Sequence, residues 1–405
     1  MNKTLLVLAA ARYQLDTIRS AKRLGHRVIT LDNRPENPGH READESYNID
    51  TTDMEAVLEV ARHERIDGVI AACTDVAVPT AAFVARELHL AGPPLESTRI
   101  VCSKIRFREF LGRHNFPVPQ SFPIDSSHKP DAALFENGRW IMKPDQSSGS
   151  KGIFVVRSRA EFSERLPQTL SFSPTDTGIL EEFIEGHQGT CEGILRHGEL
   201  ALTCVSDRMT PDPPFVATRG HYLPSRLPAA KQEMLFSSLR KVWKLLQVTE
   251  GPFDCDFVAT GDAVYLLEIS PRMGGNCISS LMRQALDFDI VEYSIREALG
   301  EDPEPPAISR IRPTAAIILG VADAGLLAFD QSEEQSLKRE PWVHSLWLDV
   351  DYGTPVQPFI NGRHRVGEAI VLGKDRDDVD AKVAELYRRL RLRARKVSMQ
   401  ALEKE

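Results

Sequence analysis

Residues 253–276 read FDCDFVATGDAVYLLEISPRMGGN. Two β-rich runs, Phe253–Ala259 and Ala263–Ile269, flank Thr260-Gly-Asp262, a short hairpin turn. On antiparallel neighbours joined this way, residues roughly opposite each other share a face, so Asp256 and Glu268 are placed to converge. A carboxylate in an apolar strand is costly unless it is paired or bound to a cation. Hard oxygen ligands of this kind suit Mg²⁺, which takes one or two carboxylates plus phosphate and water. The hairpin runs straight into Pro271-Arg-Met-Gly-Gly-Asn276. Its glycines permit close backbone approach, and Arg272 can present a bidentate fork to phosphate or carboxylate. The plainer alternatives are carboxylates facing solvent or arginine, and a simple turn.

Upstream, Lys143-Pro-Asp-Gln-Ser-Ser-Gly-Ser-Lys-Gly152 joins the runs Trp140–Lys143 and Ile153–Arg157. Small residues let backbone N–H groups reach phosphate oxygens, and Lys143 sets a charge at the root of the loop. It is not a P-loop, because GxxxxGK[ST] is absent. A hairpin turn with incidental glycines is the alternative. Leu180-Glu-Glu-Phe-Ile184 lies in a strand predicted over Gly178–Ile184, either an ordinary edge strand or a slot whose backbone reads adenine, with Glu181 near its amino group.

The first hundred residues alternate strand and helix: Thr4–Ala10, Gln14–Leu24, Arg27–Leu31, Met54–Glu64, Gly68–Ala72 and Val78–Leu88. That alternation predicts a parallel sheet with ligands at the strand carboxyl ends, near Ala11, Arg12, Asp32, Asn33, Thr74 and Asp75. No glycine lies between Leu5 and Leu24, so no GxGxxG cradles a dinucleotide there. Ser103–His114 reads as a basic helix and Gln232–Leu246 as an amphipathic one, whereas the proline-rich Thr210–Pro228 reads as a mobile loop over a cleft. Gly300–Pro306 marks a boundary before a small α+β unit with strands Thr314–Leu319 and Ala369–Leu372 and helix Asp377–Leu390.

With 405 residues and a net charge of −8, the chain is long enough for two or three domains and has no basic field to recruit nucleic acid or anionic lipid. The arginines at 388, 389, 391, 393 and 395 fit a solvated helix end. The six cysteines form no CxxC pair, which fits reduced thiols in a cytoplasm. Met1–Arg12 reads as a first buried strand rather than a signal peptide, and no run has the length of a membrane span.

Taken in order, these features resemble the ATP-grasp superfamily, in particular its carboxylate–amine (amino-acid) ligase branch. The likeness spans nearly the whole chain. It is most distinctive at Glu181-Glu-Phe-Ile-Glu-Gly186 and Leu267-Glu-Ile-Ser-Pro-Arg-Met-Gly-Gly275, and extends to Asn37-Pro-Gly-His-Arg-Glu-Ala-Asp44 and Ile66-Asp-Gly-Val-Ile70. The resemblance implies an α/β chain in three parts. These are a parallel-sheet pre-ATP-grasp domain over residues 1–97, an α+β ATP-grasp domain over 98–302 with a lid at about 115–183, and a C-terminal α+β subdomain over 303–405. It further implies that Lys104 and Lys143 hold ATP phosphates under a flexible loop containing Ser147, Ser148, Gly149 and Gly152. Glu181, Glu182, Phe183 and Ile184 would form the adenine hinge, with Gln188 at the ribose. Asp256, Glu268 and Ser270 would ligate Mg²⁺, with Mn²⁺ as a substitute. Arg272 and Lys143 would serve the phosphoryl transfer, and Gly274, Gly275, Asn276 and His221 would face the substrate. Three positions depart from the family pattern: Gln188 replaces an acid, Ser270 replaces an asparagine, and Ser103 precedes Lys104 where aspartate is frequent.

The implied reaction activates a carboxylate as an acyl phosphate and forms an amide with an amine, releasing ADP and phosphate. The implied partners are small molecules, with no nucleic acid and no membrane, and the resemblance leaves room for a homodimer. Two other readings remain open: a bicarbonate-using carboxylase or carbamoyl-phosphate-type enzyme, and a nucleotide-binding protein with degenerate chemistry.

Overall fold

The structure is a computed structural model that describes residues 2–128, 130–136, 138–210 and 216–396. Its first unit comprises β1 (Thr4–Leu8), α1 (Leu15–Arg23), β2 (Arg27–Leu31), β3 (Glu45–Tyr47), α2 (Met54–Glu64), β4 (Gly68–Ile70) and α3 (Val78–Leu88), each within two residues of its predicted counterpart where one was predicted. The strands form a parallel sheet in the order β3-β2-β1-β4. The unbroken apolar run of β1 reflects burial on both faces: Leu5 and Val7 enter one core, Leu6 and Leu8 another.

Two short helices follow, α4 (Leu95–Val101) and α5 (Lys104–Arg113). The Ser103 hydroxyl caps α5 by accepting the Arg106 N–H at 3.2 Å, which makes Lys104 the first helical residue. Next come β5 (Ser121–Ile124), β6 (Trp140–Pro144), β7 (Phe154–Val156), α6 (Arg159–Leu170) and β8 (Gly178–Glu182). These strands form an antiparallel sheet in the order β5-β8-β6-β7, with Phe162, Leu166 and Leu170 of α6 packed on Met142 and Leu180.

The chain then builds β9 (His187–Arg196), β10 (Glu199–Met209), β11 (Gly220–Leu223), α7 (Ala229–Leu245), β12 (Gly251–Ala259), β13 (Val264–Ser270), α8 (Ile278–Leu286) and α9 (Ile290–Ala298). Its last stretch holds β14 (Thr314–Leu319), β15 (Gly325–Ala328), α10 (Gln331–Leu337), β16 (Val343–Leu348), β17 (Pro355–Val356), β18 (Gly367–Leu372), α11 (Arg376–Leu390) and β19 (Arg393–Arg395). A single eight-stranded sheet, β13-β12-β9-β10-β11-β14-β18-β16, joins the middle of the chain to its end. The segment beyond Gly300–Pro306 therefore shares the hydrogen-bond ladder of the sheet before it, through the antiparallel pairing of β11 with β14.

That junction corrects the reading of Thr210–Pro228 as a loop without regular structure. Residues 211–215 of this stretch lie outside the described residues, but Gly220–Leu223 is a strand clamped between β10 and β14. Its four residues are too few to show a period, and its flanking prolines mimic a loop. Gly220 sits where a Cβ would lie 2.7 Å from the Ala316 carbonyl oxygen, so the strand is specified by long-range pairing.

Beneath the sheet, burial and the nearby charge of Glu250 raise the Glu297 carboxyl of α9 from 4.5 to about 7. The folded state thus binds more protons than the unfolded chain between those values, so stability falls as pH rises from 4.5 through 7. The side chain keeps some contact with solvent, which holds the loss to roughly 1–2 kcal/mol. In urea titrations between pH 5 and pH 8, Glu297→Gln is expected to flatten this decline and to raise the midpoint at pH 8. Parallel pH profiles for the variant and the parent would refute it.

Candidate active site

Three of the four sheets, all but β17-β15-β19, surround one cleft of about 500 Å³. Its floor is a face of the eight-stranded sheet, where the pleat brings alternate residues up: Gln188, Thr190 and Glu192 from β9, Arg208 from β10, His221 from β11, and Asp254, Asp256 and Val258 from β12. The lid sheet supplies Ile141, Lys143 and Glu181–Ile184, with the Ser147–Lys151 loop beside them. The parallel sheet contributes Ala9, Ala11, Asp32 and Cys73–Val76 from its strand ends, and the last segment contributes Gly362 and Arg363.

On β13 a one-residue bulge decides which side chains reach the floor. Phe257 pairs with Leu266, yet the next residue, Asp256, pairs with Glu268, leaving Leu267 as the extra residue. Leu266 and Ile269 consequently both enter the core, and Glu268 comes up opposite Asp256. Arg108 secures the bulge by donating to the Leu266 and Leu267 carbonyls at 3.0 and 2.6 Å.

The same guanidinium donates to Glu181, whose other carboxylate oxygen accepts from Lys143 Nζ at 2.5 Å. All three side chains are buried. Arg108 and Lys143 hold the Glu181 carboxyl down at about 2 although burial pushes it up. The side chain expected near an adenine amino group is thus turned to two cations, while Glu181–Ile184 line the cleft. Lys104 is likewise buried, 3.2 Å from Glu268 and 3.4 Å from the Ser147 carbonyl. Burial works against its charge, but Glu268 offsets this and raises its pKa. Ser103, where the family favours aspartate, donates to Asp145 at 2.8 Å, so a carboxylate still stands at that helix start.

Asp256 accepts from Thr190 at 2.9 Å and pairs with Arg208 at 2.8 Å. Burial, opposed by Arg208 and reinforced by Asp254 and Glu268, raises its carboxyl to about 6. Among the described residues no three His, Cys, Asp or Glu side chains are grouped to hold a metal by themselves. The Asp256–Glu268 pair instead fits a cation that draws its remaining ligands from phosphate and water, as Mg²⁺ does. Each carboxylate already has one cationic partner, Arg208 or Lys104, and a metal ion between them would add to that neutralisation.

Other expected residues fall less simply. Ser270 is buried opposite Asp254 and lines a side cavity of about 30 Å³ with Lys104, Asp256 and Glu268, rather than the main cleft. Gly152 lies off the cleft lining, at the base of its loop, where a Cβ would sit 2.8 Å from Phe172 and 3.0 Å from Pro144. His221 is buried, with Nδ1 3.2 Å from the Ser206 hydroxyl, and burial near Arg208 lowers it to about 3, so it is neutral at working pH. Arg272 is clamped by Asp75 at 2.6 Å, by Asp254 at 2.6 Å and by the Met273 carbonyl at 3.0 Å, which occupies most of its donors. Gly275 and Asn276 line the cleft, whereas Gly274 lies behind Glu192 with its N–H on that carboxylate.

Sequence reasoning missed several groups. Glu192 is buried on the cleft floor, and burial beside Asp254 raises its carboxyl well above the ordinary range. Period two along β9 could have found it, since Gln188, Thr190 and Glu192 must share a face. The same rule places Asp254 with Asp256. At the mouth, Arg34, Lys151 and Arg363 come from three distant segments, and Arg363 and Arg34 join burial in lowering the Lys151 pKa. No local signal marks them.

Residues 101–276 match the family model of the ATP-grasp domain, and residues 18–92 that of the ATP-grasp N-terminal domain. The chain is 26% identical over 400 residues to a formate-dependent phosphoribosylglycinamide formyltransferase from Synechococcus sp., covering 94% of each protein. Among solved structures it resembles an L-amino acid ligase from Bacillus licheniformis, with TM-score 0.81 and 18% identity over 98% of this chain and 99% of that one. It also resembles a phosphoribosylglycinamide synthetase from Anaerococcus prevotii, with TM-score 0.75 and 19% identity over 98% and 100% of the two chains.

Proposed function

This chain belongs to the ATP-grasp superfamily, and from that premise we propose that it is an ATP-dependent carboxylate–amine ligase. The γ-phosphoryl of ATP passes to a substrate carboxylate, an amine attacks the resulting acyl phosphate, and an amide, ADP and phosphate leave. One observation carries this reading: Asp256 and Glu268, opposite each other across the β12–β13 hairpin, face a cleft that Lys143 shares from the lid.

In this assignment Lys104, Lys143 and the Ser147, Ser148 and Gly149 backbone receive the triphosphate, whose charge calls for fixed donors. Glu181, Glu182, Phe183 and Ile184 flank the base, Glu181 acting by fixing Lys143, and Gln188 lies at the ribose. Asp256 and Glu268 hold Mg²⁺, or Mn²⁺ in its place, with Ser270 beside them. The ion supplies neutralisation of the phosphate oxygens. Arg272, held rigid by Asp75 and Asp254, steadies the transferring group, and His221, Gly274, Gly275 and Asn276 shape the substrate end. Phosphoryl transfer needs little from the protein beyond positioning and electrostatic support, so a site without a side-chain nucleophile suffices.

We divide the chain into residues 1–97, 98–302 and 303–405, the last completing the sheet that carries the site. No helix among the described residues is long and apolar enough to cross a membrane. All six cysteines are free, which supports a reducing cytoplasm.

A phosphate-release screen of small carboxylates paired with amines, amino acids included, tests the assignment. ADP and phosphate are expected to appear only when acid and amine are both present. Appearance of AMP and pyrophosphate would overturn the acyl-phosphate route, and bicarbonate-stimulated ATP hydrolysis without an amine would favour a carboxylase instead.

A further inference from the structure

The charges around the carboxylate pair already balance. Glu268 lies 3.2 Å from Lys104 and Asp256 lies 2.8 Å from Arg208, so two anions face two cations before any ligand enters. A divalent cation held between Asp256 and Glu268 brings two further positive charges into a partly buried site, where like charges repel strongly. In the ligase reading, on which this inference rests, the excess is relieved when the protein cations turn from the carboxylates to phosphate oxygens. Lys104 is already assigned to that task. Arg208 stands to Asp256 as Lys104 stands to Glu268, yet it has no assigned role.

Arg208 rises from β10 into the cleft lining, and its side chain is 11% exposed. Its Nε donates to the Thr218 hydroxyl at 2.6 Å, one terminal nitrogen to Asp256 at 2.8 Å and the other to the Val216 carbonyl at 3.3 Å. Val216 and Thr218 sit just before β11 and line the cleft as well. Loss of the Asp256 contact therefore leaves the guanidinium anchored along one edge, with the nitrogen that faced the carboxylate free to turn. A guanidinium has five N–H donors, and the three bonds leave one on each terminal nitrogen. Arg272 is more fully committed: its four bonds to Asp75, Asp254 and the Met273 carbonyl leave one donor, and two carboxylates outweigh its one charge. Arg208 has a single carboxylate to give up, and that carboxylate is the one a metal ion takes.

We propose that Arg208 is a further catalytic residue with two positions: it neutralises Asp256 until a divalent cation binds there, and then donates to an oxygen of the transferring γ-phosphoryl group. Its planar fork suits phosphoryl oxygens better than a lone ammonium does. The same arrangement couples the entry of metal and nucleotide. The ion without phosphates adds two unbalanced positive charges, and the phosphates without the ion leave Arg208 on its carboxylate.

The test is a pair of titrations on Arg208→Met, which keeps the apolar stem and removes the charge. Calorimetry with MgADP and with the β,γ-imido analogue of MgATP reads the γ-phosphate contact. The variant is expected to bind the analogue about tenfold more weakly and MgADP within about twofold of the parent, because one charged hydrogen bond to the γ-phosphoryl is lost. Titration of the nucleotide-free protein with MnCl2, followed by water-proton relaxation, reads the competition for Asp256 and has the opposite sign. Here the variant is expected to bind about tenfold more tightly, since a like charge beside the ligand is gone. A residue that only held the cleft floor together would weaken all three affinities alike. Should Arg208→Met fail to fold by thermal melting, Arg208→Gln takes its place with the same signs. Equal losses for MgADP and the analogue would overturn the proposal, as would an Mn²⁺ affinity that does not rise. Absence of nucleotide binding to the parent would sink the ligase reading and this inference together, whereas nucleotide binding with an unmoved γ-phosphate contact sinks this inference alone. Neither titration needs turnover, so both decide the role of Arg208 even if the phosphate-release screen rejects the amine route.

Discussion

Glu268→Ala is expected to lower kcat for ADP release by about 10³-fold while the protein still folds, because one preorganised charged group at the transferring phosphoryl is commonly worth that much. Two consequences of the structure set the size. Glu268 is the residue that the β13 bulge brings directly opposite Asp256. It is also the partner of buried Lys104, whose ammonium is left with the Ser147 carbonyl once the carboxylate is gone. Glu268→Gln separates these effects, since the amide keeps the contact with Lys104 but weakens the grip on a divalent ion. The check is phosphate release across a magnesium titration: the glutamine variant should require far more metal, and the alanine variant should not be rescued. Turnover within about threefold of the parent would remove the carboxylate pair from the chemistry.

Glu181→Leu has the largest expected effect on stability. Arg108 and Lys143 are buried around this one carboxylate, and removing it strands two cations away from water. Breaking such a buried pair from one side costs about 3–5 kcal/mol. The same network gives a pH signature. The folded carboxyl lies at about 2, against 4.5 for the ordinary group, so its stabilisation is present above pH 4.5 and lost as pH falls toward 2. A shift of this size corresponds to roughly 3 kcal/mol. Acid titration followed by circular dichroism should show the parent losing stability in that window and Glu181→Leu starting lower and changing less. Equal urea midpoints at pH 7 would show that the triad contributes nothing.

The hairpin at 253–270 could be read in the sequence because its information is local: alternation, a turn with glycine, and acids at fixed offsets. The helices whose starts carry Ser or Asp could be placed for the same reason, as at Asp53, which caps α2. What escaped depends on residues far apart in the chain. The bulge that sets the phase of β13 is fixed by Arg108, more than 150 positions earlier. Gly220–Leu223 becomes a strand because β10 and β14 lie on either side of it. Glu192 was legible in principle from the period of its strand, but its raised carboxyl comes from burial beside Asp254 on the neighbouring β12.

Continuity of the eight-stranded sheet has a further consequence for how the protein can be cut. The short strand Gly220–Leu223, which carries His221 into the cleft, has β10 on one side and β14 on the other. A fragment ending near residue 302 would leave the β14 side as a raw, unpaired row of amides and carbonyls, an invitation to pair with another molecule. The stretches before and after Gly300–Pro306 are therefore less like beads on a string than like boards of one tabletop, and the later board guards the earlier from sticking.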